Sequence, residues 1–358
     1  MTAEAIQEKS IDETRVNELL GRFVTEFGAT MHAPLMIIGS ELGLFRALAA
    51  APLTTSELAT TTGTAERYVR EWARSQAATG WVTYDAATDR YSLTPEQALL
   101  LDENGPADIV GGYTVALAAG KSTAQLIEAF KSGDGVGWHE HDHGLFSGTA
   151  RFFGAGYRTN LVANWIPALE GVQEKLARGA RVADIGCGHG VSTMLMTEAF
   201  PASSFVGFDY HEPSLDAARE TAREKGIDDR LRFLKATAGE FPGSDYDLVT
   251  MFDCLHDLGD PLGALVRIRE ALADDGTLMI VEPRAGDSVE ENLNPVSRAF
   301  YAASTMFCTP NSLSQDVGLA LGAQAGNAAV RELATKAGFT RFRCATETAF
   351  NVILELRP

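Results

Sequence analysis

Cysteine is scarce and poorly spaced for chemistry. Four occur in 358 residues (Cys187, Cys254, Cys308 and Cys344), and no two have the C-x-x-C spacing of a zinc knuckle or redox motif. They read as reduced thiols, which predicts a cytoplasmic protein. Long apolar runs are missing too. The opening stretch Met1 to Arg15 is polar and mostly acidic, and nothing approaches the roughly 20 apolar residues of a membrane span. Neither a secretion signal nor a membrane is expected. Positive charge is also short, with 30 Lys and Arg against 48 Asp and Glu and a net charge of −18. Such a field repels phosphate backbones and anionic lipid, so nucleic acid is not an expected partner.

What the chain does have is apolar residues, 45% of the total, in a length that exceeds most single domains and predicts two lobes. The most informative stretch is Val182-Ala183-Asp184-Ile185-Gly186-Cys187-Gly188-His189-Gly190. It reads as a short strand entering a glycine-rich turn, where the backbone needs φ > 0 and a ligand can approach more closely than a Cβ would allow. A helical pattern follows, then a second strand ending at Asp209, where a carboxylate can accept both hydroxyls of a ribose. A nucleoside-bearing cofactor is therefore expected. The dinucleotide fingerprint G-x-G-x-x-G would need glycine at Val191; the order found is D-x-G-x-G-x-G. Asp184, at the strand end, could receive an ammonium group directly or through water.

Further strands are predicted over Ser204–Tyr210, Arg232–Ala236, Tyr246–Asp253 and Gly276–Pro283, with helical segments such as Ser214–Lys225 and Pro261–Ala273 between them. Two final strands, Phe339–Arg343 and Asn351–Leu356, are expected to finish the sheet antiparallel. Alternating strands and helices predict a parallel doubly wound α/β sheet with ligands beyond the carboxyl ends of its strands.

The front half differs. Residues 12–50 carry apolar positions at helical spacing, among them Leu19, Leu20, Phe23, Phe27 and Met31. A capped helix from Leu53, a turn at Thr62-Gly63-Thr64, a helix over Ala65–Thr79 and a hairpin formed by Trp81–Tyr84 and Arg90–Thr94 predict a winged helix-turn-helix. Its presumed recognition helix carries Arg67, Arg70 and Arg74, but Glu66 and Glu71 are interleaved. That mixture suits packing better than phosphate binding.

The order from Asp184 to Gly190 resembles motif I of the class I S-adenosylmethionine-dependent methyltransferases. With a winged helix ahead of it, the layout resembles small-molecule O-methyltransferases of the caffeic-acid type, their bacterial natural-product relatives and winged-helix methyltransferases of actinobacteria. The resemblance implies a Rossmann-like, seven-stranded methyltransferase domain over residues 171–358. It also implies a mostly α winged-helix unit over 1–100 that forms a homodimer, and a helical linker and pocket lid over 101–170. It implies S-adenosylmethionine as cofactor, S-adenosylhomocysteine as product and a small-molecule acceptor. The cofactor set is then Asp184, Gly186, Cys187, Gly188, Gly190, Asp209, Tyr210 and Asp253. Many members place an aspartate after the third strand to accept the adenine amino group; here Thr237 or the backbone of Ala238 must serve, and His211 is placed to lie against the adenosine.

His256-Asp257 matches the histidine and aspartate that follow the fourth strand in the caffeic-acid type, and Glu282 matches the acidic residue closing the fifth. His256 is the expected general base, since an imidazole with an unperturbed pKa of about 6.5 can take a proton near neutrality. Glu282 would orient it or a substrate group. Oxygen is the favoured acceptor atom, with sulfur or nitrogen as alternatives and a metabolite-sensing transcription regulator as a rival of another class. His143, Phe153, Tyr157, Tyr301 and Phe307 are the expected acceptor contacts, with the insertion from Asp287 to Asn327 forming the acceptor wall. The run His139-Glu140-His141-Asp142-His143 approaches a metallo-β-lactamase signature but lacks a spacer. No metal is expected there; the run is read as part of the pocket roof.

Overall fold

The computed structural model describes residues 11–102, 105 and 107–358. The polar opening considered above falls, up to Ser10, outside the described residues, as do positions 103, 104 and 106 at the start of the expected lid. The chain divides into two compact units, Met1–Glu103 and Asn104–Pro358.

In the first unit, Asp12 caps a long helix, Glu13–Glu41, by accepting from the backbone N–H groups of Thr14 and Arg15. Leu19, Phe23, Val24, Phe27 and Met31 are exposed on this helix, although their spacing is that of a buried face. The winged helix follows as predicted. Thr54 and Glu57 form a reciprocal capping box that starts the helix Thr55–Thr62. A second helix, Glu66–Thr79, leads to a hairpin of β1 (Thr83–Asp85) and β2 (Arg90–Ser92). Arg67 and Arg70 are paired with Glu71 and Glu66 of their own helix, both at 2.7 Å. No single described helix is long and apolar enough to cross a membrane; the bent pair Glu13–Glu41 and Leu44–Ala50 passes on length and composition alone.

The second unit is built on a seven-stranded sheet. Its strands are β3 (Arg181–Ile185), β4 (Ser204–Asp209), β5 (Leu231–Lys235), β6 (Tyr246–Phe252), β7 (Leu272–Pro283), β8 (Arg341–Glu347) and β9 (Asn351–Arg357). Their order is β5-β4-β3-β6-β7-β9-β8, parallel except where β9 runs antiparallel to both its neighbours. The inner strands are buried on both faces and read as largely apolar runs, whereas the edge strands β5 and β8 are partly exposed. Val182, Leu248 and Met279 pack into one core, while their neighbours in sequence Ala183, Val249 and Leu278 pack into the other. The order reverses between β3 and β6, which opens a crevice at their carboxyl ends. Helices Val110–Lys121 and Gly144–Asn160 and the insertion after β7 also contribute to the walls of that crevice.

Candidate active site

The turn after β3 is held by its own backbone. Gly186 and Cys187 both donate to the carbonyl of Phe208 in β4. Gly188 donates to Asp209 Oδ2 at 2.8 Å, while His211 N donates to Oδ1 at 2.9 Å. Gly190 has φ 72°, and a Cβ there would stand 2.3 Å from Phe233 Cζ, so only glycine fits where the helix Val191–Ala199 begins. No atom lies within 4 Å of where a Gly188 Cβ would point, which leaves a hollow beside Asp209. Burial pushes the Asp209 carboxyl up, against the hydrogen bonds from its neighbours' backbone.

Asp184 departs from its expected place. Fully buried and absent from the cavity lining, it accepts from Thr250 Oγ1 at 2.9 Å, Ser192 Oγ at 2.9 Å and Thr193 Oγ1 at 2.6 Å. Burial pushes it up to about 6, opposed by these hydroxyls. It braces β3 against β6 and the following helix, and is not positioned to meet an ammonium group.

A cavity of about 1470 Å³ lies beyond the strand ends. Single-ligand sites typically occupy roughly 300–1,000 Å³, so there is room for a cofactor and a second molecule. Of the expected cofactor residues, Gly186, Cys187, Gly188, Asp209, Tyr210, Thr237, Ala238 and Asp253 line it, as does His211. Gly190 lies behind the turn. Of the expected acceptor contacts, Phe153, Tyr157 and Phe307 line it and two do not. His143 instead stacks on Phe146, which in turn stacks on His211 with ring centroids 4.8 Å apart. Tyr301 is 38% exposed, its hydroxyl accepting from Asn292. The helix carrying it turns its other face, Ala299, Phe300 and Ala303, to the cavity.

Asp253 follows β6 with φ 50°, a left-handed conformation that aspartate tolerates better than most residues. Tyr157 Oη donates to its Oδ2 at 2.7 Å and Asn351 Nδ2 to its Oδ1 at 2.8 Å. Burial raises this carboxyl to about 7, opposed by the Tyr157 hydrogen bond and helped by the charge of Glu282.

His256 stands on a single 3₁₀ turn, Leu255–Asp257. Glu282, at the end of β7, accepts from Leu255 N at 3.0 Å and from His256 Nδ1 at 2.5 Å. It lies behind the imidazole and does not itself line the cavity. His256 Nε2 is 3.3 Å from Asp257 Oδ1. Burial pushes the imidazolium down, but the two carboxylates outweigh it and hold the ring protonated well above the usual histidine range. Asp257 Oδ2 accepts from Trp138 Nε1 at 3.0 Å; its Oδ1 is buried facing His256 Nε2, and Cys308 is a further hydrogen-bond partner of the carboxylate.

One donor atom each from His256, Asp257 and Cys308 lies within 4.8 Å of the others, the one grouping of metal-ligand type among the described residues. The run from His139 to His143 forms none there. His141 is buried, its Nδ1 2.9 Å from Ser122 Oγ and its ring edge-on to Phe307.

Sequence reasoning gave Asn351 no role at the site, and within the expected lid over 101–170 it did not single out Gly112, Val115, Ala116 and Ala119 of the helix Val110–Lys121, which line the cavity. The helix had a signal in its unusual run of small residues. Asn351 had none, because its role depends on β9 pairing beside β7.

Residues 176–338 match the family described as a methyltransferase domain, and residues 30–103 match the Rv2258c-like winged HTH domain. The chain carries a methyltransferase domain behind a winged helix-turn-helix domain. The ubiquinone biosynthesis O-methyltransferase of Bordetella parapertussis is 38% identical over 100 residues, 27% of this chain and 40% of that protein. Overall the chain spans between 24% and 56% of the length of such curated relatives. Two solved structures share the whole layout. An O-methyltransferase family protein from Burkholderia thailandensis has a TM-score of 0.69 at 17% identity, covering 97% of this chain and 98% of that one. Human N-acetylserotonin methyltransferase, solved with S-adenosylmethionine, has a TM-score of 0.67 at 17% identity, covering 98% and 99%. In the methyltransferase domain, then, the glycine turn, Asp209 and the His256–Glu282 pair all converge on one cavity.

Proposed function

We propose that this chain transfers a methyl group from S-adenosylmethionine to a hydroxyl of a small molecule, as a cytoplasmic homodimer. The observation that carries the reading is a single cavity with a nucleoside cradle at one end and a carboxylate-backed histidine at the other. The residues fit the cofactor. Asp209 keeps lone pairs for ribose hydroxyls beyond those used by Gly188 and His211, and the hollow at Gly188 admits the ribose edge. Thr237 and the Ala238 backbone would take the adenine, with Tyr210 and His211 beside it; all four line the cavity. When bound, S-adenosylmethionine supplies an electrophilic methyl group on a sulfonium.

The protein's own task is alignment and proton removal. Orientation can contribute about 7–11 kcal/mol to such a displacement, and a positioned base a further factor of roughly 10²–10⁴. Glu282 fixes the imidazole through Nδ1, so Nε2, which faces Asp257 Oδ1 at 3.3 Å, is the atom that would take the acceptor's proton once His256 is neutral. Tyr157 and Asn351 hold Asp253 facing the cavity, and Phe153 and Phe307 flank the acceptor. His256→Ala should keep the affinity for S-adenosylmethionine and slow methylation of a hydroxyl acceptor by the factor above; an unchanged rate removes it as base. A second reading, methylation of sulfur or nitrogen, is favoured by one observation: His256 is held protonated between two carboxylates. Such an acceptor would leave the rate of His256→Ala near that of the parent.

The exposed apolar face of the helix Glu13–Glu41, with Phe23 stacked on Phe27 at 5.6 Å, supports the homodimer. The pairing of Arg67 and Arg70 with their own helix's glutamates weighs against a DNA-binding role for the winged helix.

A further inference from the structure

Cys308 meets His256 and Asp257 at one wall of the cavity, and methyl transfer gives its thiol no task. All three residues are buried and line the cavity. One donor atom from each lies within 4.8 Å of the other two, and His256 Nε2 is 3.3 Å from Asp257 Oδ1. The thiol hydrogen-bonds both the ring and the carboxylate. Polar atoms that converge on shared protons converge equally on a cation that displaces those protons. Bonds of about 2.0–2.1 Å to nitrogen or oxygen and about 2.3 Å to sulfur set donor atoms roughly 3.3–3.5 Å apart around a tetrahedral zinc. The pair Nε2 and Oδ1 has that spacing, and the sulfur needs to close by at most about 1.5 Å.

The surroundings hold these donor atoms in place. Glu282 accepts from Nδ1 and so fixes the ring with Nε2 toward Asp257; a carboxylate in that position raises the basicity of an imidazole as a ligand. Trp138 Nε1 donates to Asp257 Oδ2 at 3.0 Å, which keeps Oδ1 on the ring side. Asn311 and Gln315 donate to the Asp257 backbone carbonyl at 3.1 and 2.9 Å. Cys308 closes a π-helical turn, Ser304–Cys308, a distortion common at functional sites. None of the described residues lining the cavity is Lys or Arg, while Asp209, Asp253, Asp257 and Asp260 do line it, so the charge of the walls favours a dication. Imidazole, carboxylate and thiolate together select a borderline-soft ion, whereas magnesium and calcium call for oxygen ligands. The fourth position of a tetrahedral ion here would face the cavity.

We propose that His256 Nε2, Asp257 Oδ1 and Cys308 Sγ form an exchangeable site for a thiophilic divalent cation, zinc foremost. Coordination makes three bonds to the protein, the thiol proton of Cys308 and the Nε2 proton leave to water, and no electron is transferred. The metal then occupies the nitrogen assigned to take the acceptor's proton, so zinc acts as a reversible inhibitor and not as a resident cofactor. The site stands on its geometry; its inhibitory role rests on the methyl-transfer reading.

The test uses the full chain, stripped with a chelator and titrated with cobalt(II) and then zinc at pH 7.5. One cobalt per chain should bind with the intense near-ultraviolet band of a cobalt thiolate, and an equimolar amount of zinc should remove that band. Nitrogen-15 NMR should place zinc on Nε2 of His256 with the Nδ1 proton retained. Cys308→Ser should abolish the band, and Asp257→Asn should weaken cobalt binding at least tenfold. Cys344→Ser, at the exposed thiol, and His139→Gln combined with His143→Gln should change neither the band nor the affinity. A parent protein without the band overturns the site whether or not Cys308→Ser folds. So does a band that survives Cys308→Ser, or one lost in Cys344→Ser or in the double histidine variant. Methylation of a hydroxyl acceptor at an undiminished rate with zinc bound overturns the inhibitory role. A parent that binds cobalt as described yet does not bind S-adenosylmethionine would uphold the site and count against the methyl-transfer reading itself.

Discussion

Replacing Glu282 with glutamine removes a charge that lies against His256 Nδ1 at 2.5 Å while leaving a carbonyl oxygen to accept from it. Both side chains are buried, 4% and 8% exposed, so salt screens the pair little. Unit charges about 4 Å apart at an effective dielectric of about 20 interact by roughly 4 kcal/mol, an upper bound here. Opposite charges at such distances commonly move a pKa by about 1–3 units. The His256 pKa should therefore fall by about 1–3 units in Glu282→Gln, with Asp257 and Cys308 still facing the ring and keeping part of the upward shift. Nitrogen-15 NMR of the imidazoles reads this without a known acceptor, because only seven histidines are present and His256→Gln identifies the signal. In the parent protein, the raised pKa contributes stability that is full below about pH 6.5 and lost as pH rises through the folded value. The melting temperature of Glu282→Gln should consequently fall less over that alkaline range. For a hydroxyl acceptor, the rise of rate with pH should move to lower pH by the same amount. An imidazole that titrates where it did before would refute the placement of Glu282 behind His256.

Two further predictions concern assembly and metal. Phe23→Glu combined with Phe27→Glu should convert a dimer to a monomer in sedimentation, since two charges would be set on the exposed face of the first helix; an unchanged mass rejects that face as the interface. Prolonged treatment with a chelator should leave methylation unaffected, and loss of activity that zinc restores would make the grouping of His256, Asp257 and Cys308 a metal centre.

The sheet was legible because its signals are local and repeated. Each strand is a short apolar run between turn signals, and the glycine turn from Gly186 to Gly190 announces the crevice. His256 and Glu282 could be paired beforehand because both follow strand ends, which the topology gathers at one edge. Asp184 was misplaced for a physical reason: a carboxylate at a strand end can face either the ligand or the interior, and the hydroxyls of Ser192, Thr193 and Thr250 decided for the interior. Tyr301 was misplaced because helical spacing gives a face but not which neighbour that face meets. The apolar stripe on the helix Glu13–Glu41 shows the opposite failure, since its period is that of a buried face while this chain alone leaves it exposed. Trp138 reaching Asp257, 119 residues away in sequence, and Asn351 reaching Asp253, 98 residues away, are long-range contacts that no local pattern encodes.

The central claim is that the turn after β3 and Asp209 together hold S-adenosylmethionine. Titration calorimetry of S-adenosylmethionine and S-adenosylhomocysteine into the parent protein and Gly188→Val tests it most directly, because valine at φ 52° would be strained and would fill the hollow beside Asp209. The expected result is one site per chain for both compounds in the parent, no binding by the folded variant, and none of a nicotinamide dinucleotide by either. Absence of binding to the parent, or undiminished affinity in Gly188→Val, would contradict it.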